Sequence, residues 1–87
     1  MADWKKLAEN ALYAQSACNL SGIVHSFSRD VTQVREKLRE EGKEDTEDVN
    51  EHPVCVLYAA QILYLSGGGL YPSEEYRKAY EWAQENK

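Results

Sequence analysis

Between Val54 and Leu65 only Gln61 is plainly polar. A helix over Pro53 to Ser66 therefore has no face suited to bulk water and must be wrapped by other elements. It is too short to cross a bilayer, which needs ~20 residues, so it reads as the central helix of a core. Upstream, Trp4, Leu7, Ala11, Ala14 and Cys18 recur at three- and four-residue steps behind Asp3, a capping residue, and predict a first amphipathic helix. From Ala17 a second stripe runs through Leu20, Val24, Phe27, Val31, Val34 and Leu38, offset by one residue from the first. The expectation is one continuous or slightly bent helix over about residues 3–41. A break near Asn19 to Gly22 is the alternative, because a lone helical glycine costs only ~1 kcal/mol relative to alanine and does not decide the matter.

Gly42 predicts the end of this region, with Lys37 and Arg39 complementing the helix dipole. Lys43 to Glu51 is a polar, acidic connection with room for one helical turn from Thr46. Asn50 or His52 then caps the core helix, with Pro53 in its first turn, where a missing N–H costs nothing. Ser66 and three glycines terminate it, Leu70-Tyr71-Pro72 crosses over, and Ser73 is the expected cap of a last helix over 73–86. Tyr76, Ala79, Tyr80 and Ala83 form its inner stripe, with Trp82 to one side. No repeat and no strand-like alternation interrupts this. The fold class is all-α, a single small bundle of three long or four shorter helices packed on the central one.

A single rod over 3–41 would be about 55–60 Å long at 1.5 Å per residue, against ~21 Å for the core helix. One small chain is then short of cover for the apolar run, and a homodimer or higher homo-oligomer is expected. Hydrophobic residues make up 43% and charged ones 29%, a globular balance. The net charge of −5 and pI near 4.9 disfavour direct binding to nucleic acid or to anionic membrane. The charged N-terminal stretch predicts no signal peptide, no span and a cytoplasmic location. Two cysteines, Cys18 and Cys55, are too few for a disulfide framework and read as free thiols.

Candidate chemistry is sparse. Cys18, His25, His52 and Cys55 carry the letters of a zinc site, but Cys18 and His25 stand seven residues apart, about two helical turns, so no metal and no cofactor is expected. The same residues lie in no nucleophile motif, and burial would leave the thiols inert. Glu44, Asp45, Glu47 and Asp48 lack the glycine and oxygen spacing of a calcium loop. They are instead the candidate partner-binding residues of an acidic decoy that occupies the basic groove of a nucleic-acid-binding protein. Polar residues placed where helices should meet are the candidate ligand-binding set: Asn19, Ser21, His25, Arg29, Asn50, His52 and Gln61. They form either an internal hydrogen-bond network or a pocket for a small polar ligand, with Arg29 or Arg35 available to an anion.

The stretches A-C-N-L-S-G-I-V-H-S-F (17–27) and N-E-H-P-V-C-V-L-Y (50–58) resemble a group of small, uncharacterised helical proteins of bacteria and mobile elements. The resemblance carries no activity and no catalytic residues. It directs attention to Asn19, His25, Asn50 and His52. The leading expectation is a non-enzymatic, oligomeric binding or regulatory protein for a protein partner or a small polar ligand, such as a viral counter-defence factor. The alternatives are a small enzyme using His25 or His52 as acid and base, and the acidic decoy.

Overall fold

A computed structural model describes residues 3–42, 46–69 and 71–87, apart from the side chains of 46–48. The described residues form helices α1 (Trp4–Ala14), α2 (Leu20–Glu40), α3 (Thr46–Glu51), α4 (Pro53–Leu65) and α5 (Ser73–Asn86), with no strand among them. The all-α bundle is as the pattern predicts, with α4 packed against all four other helices.

The continuous N-terminal rod is corrected. The longest extent of the molecule is 35 Å, too short for it. After Ala14 the backbone tightens into i→i−3 bonds, Ser16 to Tyr13 at 3.2 Å and Ala17 to Ala14 at 3.2 Å. Asn19 then adopts an extended conformation, and its side chain accepts from the Gly22 N–H at 3.2 Å, starting α2. The one-residue offset between the two apolar stripes therefore marks two helices with two different contact faces.

The face of α2 is also corrected. Ile23, Asp30, Val34 and Leu38 are buried and Phe27 and Val31 half-buried, whereas Leu20 and Val24 are 36% and 43% exposed. Positions 23, 27, 30 and 34 step by four, three and four, so a carboxylate sits in the middle of the core stripe.

Helix α4 begins as expected. The His52 Nδ1 accepts from the Val54 N–H at 3.2 Å, and Pro53 occupies the first helical position. Val54 through Tyr58 are buried without interruption, wrapped by α1, α2, α3 and α5. The cover comes from small residues: Ala8, Ala11 and Ala14 on α1 and Ala79 and Ala83 on α5 are buried and let the helix axes approach. One chain thus encloses the first half of α4. Its second half is open, with Ile62, Leu63 and Leu65 half-buried and Tyr64 62% exposed.

The chain leaves α4 through Gly67 at φ +79°, a left-handed conformation that disfavours side chains. At Gly68 a Cβ would run into the Leu63 side chain, so the turn is packed against the helix it ends. Ser73 does not cap α5 as expected. Pro72 holds the cap position without a side-chain bond, and Ser73 is already helical. Tyr80, expected inside, is 39% exposed, while Trp82 turns inward against Trp4 and His52.

Candidate ligand site

Asp30 is fully buried, and an isolated carboxylate in that position would be prohibitively costly. Three donors compensate it. The Tyr58 hydroxyl donates to Oδ2 at 2.7 Å, the Asn10 Nδ2 donates to the same oxygen at 3.3 Å, and the Arg29 Nε donates to Oδ1 at 3.0 Å. The carboxylate so ties α1, α2 and α4 together. Phe27 stacks on Tyr58 with ring centroids 5.5 Å apart and fixes the phenol from the other side. Burial, and then the Asp30 carboxylate beside it, push the Tyr58 hydroxyl far above its ordinary range, so it serves only as a donor. The hydrogen bond to Asp30 likewise raises Arg29, whose charge is permanent. No buried side-chain polar atom among the described residues lacks a partner.

Next to this cluster lies an open cleft of about 250 Å³ between α1, α2 and α4. Ala14, Ala17, Gly22 and Ile23 form its apolar walls, with the rings of Tyr13 and Tyr58 beside them. Its polar groups are Asn10, Asn19, Ser26 and Arg29. Arg29 is half-exposed, bound inward through Nε, and among the described residues its terminal nitrogens have no hydrogen-bond partner.

Of the seven candidate ligand residues, the cleft brings together Asn19 and Arg29. Ser21 and His25 are exposed on α2 and do not line this cleft. Asn50 borders a separate depression with Glu75 and Lys78. His52 is held in the core's rim, stacked on Trp4 at 4.6 Å and edge-on to Trp82 at 4.9 Å. Gln61 donates to the Ala17 carbonyl at 2.9 Å and joins α4 to the link after α1. Gln15 acts similarly, donating to Leu57 O at 3.0 Å and accepting from the Tyr76 hydroxyl at 3.0 Å. The sequence reading passed over Asp30, Asn10 and Gln15. A signal existed for two of them: Asn10 falls between Leu7 and Ala14 on the inner stripe of α1, and Asp30 falls between Phe27 and Val34 on that of α2.

Glu44 and Asp45 of the candidate partner-binding set lie outside the described residues, as do the side chains of Glu47 and Asp48. Among the described residues no group of His, Cys, Asp and Glu is arranged to hold a metal ion. Cys18 is exposed, and burial pushes the Cys55 thiol up to about 11, which leaves it protonated and unreactive. No described helix is long and apolar enough to cross a membrane.

No family model matches the chain, and no solved structure matches it significantly. Over 53 residues, 61% of its length, the chain is 44% identical to human NBPF family member NBPF11. The same identity over the same span relates it to human NBPF family member NBPF12. The match spans only 6% of the first protein and 4% of the second, a likeness confined to one segment. These matches overturn the resemblance to proteins of bacteria and mobile elements, and with it the ground for expecting a viral counter-defence factor. The stretches that prompted it hold the Asn19 and His52-Pro53 helix starts, signals that follow from capping chemistry and recur in unrelated helical proteins.

Proposed function

We propose that this protein is a non-enzymatic helical binding protein that takes a small polar ligand in the cleft between α1, α2 and α4. The observation that carries this reading is Arg29, bound by its Nε to the fully buried Asp30 while its side chain lines an apolar-walled cleft. A cation fixed in this way loses less rotamer entropy on binding than a free surface arginine, and pre-organisation of that kind favours affinity. The apolar walls supply the enclosing surface that ligand sites share. An acid and base pair of histidines finds less support, since His25 is exposed on α2 and His52 is engaged as the cap of α4 and packed between Trp4 and Trp82. The test is a fragment screen by ¹⁵N-resolved NMR on the intact chain. Binders should move the Gly22 and Ser26 amides; a screen in which no fragment moves them refutes the reading.

The open half of α4 favours a second reading, self-association. Tyr64 is 62% exposed and Tyr80 39% exposed, and Tyr64, Tyr71 and Tyr76 line one groove of about 380 Å³. Tyrosine is enriched at interfaces, where its ring is buried and its hydroxyl stays paired. A second copy burying this face makes sedimentation concentration-dependent, and Tyr64→Glu should leave a monomer. A wild-type monomer at high micromolar concentration removes this reading.

A further inference from the structure

We infer that the ligand of the cleft is a monocarboxylate on a small apolar body, held through the two terminal nitrogens of Arg29. This rests on the reading of the cleft as a ligand site and adds the chemical class. Of the polar groups that border the cleft, Arg29, Asn19 and Ser26 offer donors, whereas Asn10 has given its amide N–H to Asp30 and keeps its Oδ1 acceptor. The Arg29 Nε is occupied by Asp30, which leaves the Nη1 and Nη2 edge of the guanidinium, the edge that pairs with a planar carboxylate in two parallel bonds. The Asn19 Oδ1 is occupied by the Gly22 N–H, which leaves its Nδ2, and Ser26 adds a hydroxyl. The acid in contact with Arg29, Asp30, is fully buried and already accepts from three groups, so it offers a ligand nothing to donate to.

Charge sets the upper bound on the anion. Asp30 cancels most of the Arg29 charge at a distance, but a carboxylate against the outer edge of the guanidinium sits nearer the cation than the buried anion, and the nearer charge dominates. A single negative charge is matched in this way. A dianionic phosphate is not, having one half-compensated cation to meet it. The remaining lining is Ala14, Ala17, Gly22, Ile23 and two tyrosines with Asn10 as the one further amide, a mostly apolar surface that suits an apolar body over a hydrated one. At about 250 Å³ the space is below the ~300–1,000 Å³ of drug-sized pockets and fits a small acid or the last residue of a peptide.

Gly22 provides the control. It is helical, and a Cβ there would meet Asn19 at 3.6 Å, an ordinary contact, so side chains are accepted without backbone strain. Gly22→Leu therefore fills the cleft in a chain that folds at least as stably as wild type.

The experiment is an NMR titration of the full chain with phenylacetate, with neutral phenylacetamide, and with acetyl-Gly-Phe bearing a free or an amidated C-terminus. Phenylacetate is expected to shift the Gly22 and Ser26 amides and the Arg29 Nε–H, with phenylacetamide at least tenfold weaker. Arg29→Gln should abolish this preference for the acid, and Gly22→Leu should abolish binding while its thermal midpoint is unchanged or raised. Tighter binding of the free-acid peptide than of phenylacetate assigns the carboxylate to a chain terminus, and the reverse assigns it to a free acid; both support the inference. Equal binding of acid and amide, or inorganic phosphate shifting the same resonances more strongly than phenylacetate, overturns it while the cleft remains a ligand site. Absence of any acid binding overturns it as well, and the fragment screen then decides separately whether the cleft binds anything.

Discussion

Tyr58→Phe removes one oxygen from a buried ring and leaves the ring's packing against Phe27 in place, so it isolates the hydrogen bond to Asp30. At 2.7 Å this bond is short and its acceptor is a carboxylate, the class worth about 1.5–3 kcal/mol, above the ~1 kcal/mol of a neutral pair. Asp30 would retain Asn10 at the longer 3.3 Å and Arg29 at 3.0 Å, and with no exposure to solvent it has no water to replace the lost donor. A loss of about 2 kcal/mol is expected, which for a domain of this size lowers the thermal midpoint by roughly 8–16 °C. Urea denaturation followed by far-ultraviolet circular dichroism measures it, with an unchanged slope showing that the unfolded state is unaltered. In a double-mutant cycle with Asp30→Asn the two losses should fall short of additive by about 1–2 kcal/mol. A loss below about 0.5 kcal/mol, or strict additivity, would refute the reasoning, because the hydroxyl would then have another way to be satisfied.

Two further outcomes follow from the same structure. His52→Ala should cost about 1–3 kcal/mol in denaturant melts, since it removes both the cap on Val54 and the ring stacked on Trp4; a change within 0.5 kcal/mol would show the cap to be replaceable. Exposed Cys18 should react with a thiol reagent at pH 8 in the folded state, whereas Cys55, with its thiol pushed from 9.0 up to about 11, should react only on unfolding. The folded chain holds the Cys55 proton more tightly than the unfolded chain does, so this contribution to stability is complete below about pH 9 and is lost as pH rises from 9 to 11. Denaturant midpoints across that window should fall less in Cys55→Ala than in wild type.

The central helix was legible because its signals are local. Pro53 at the first helical position, the His52 cap and the glycines after Ser66 each act within four residues, and the all-apolar run between them states its need for cover directly. The break between α1 and α2 was not, because neither proline nor an obligatory glycine marks it. Its only trace is the one-residue shift of the apolar stripe, which a bent helix explains equally well until Asn19 is seen to cap. The candidate site was half legible. Arg29 and Asn19 stand out as polar groups near a helix junction, but Asp30 looks like a surface residue until Tyr58, 28 positions away, is known to reach it. Pattern reading assigns charge to the outside and therefore chose a stripe that stepped around Asp30, placing Leu20 and Val24 inside when both are exposed. His52 and Gln61 were noticed for their polarity, and each bonds a backbone group, His52 accepting from the Val54 N–H and Gln61 donating to the Ala17 carbonyl.

Whether buried Asp30 fixes the Arg29 guanidinium at the cleft is measured most directly on the Arg29 Nε–H resonance by ¹⁵N NMR. In the wild-type chain it should be a single sharp signal, displaced from the exposed arginines and slow to exchange with water, and in Asp30→Asn it should move toward them and exchange faster. A wild-type signal coincident with the exposed arginines, or one indifferent to Asp30→Asn, would contradict the positioning of Arg29 on which the proposed binding site depends.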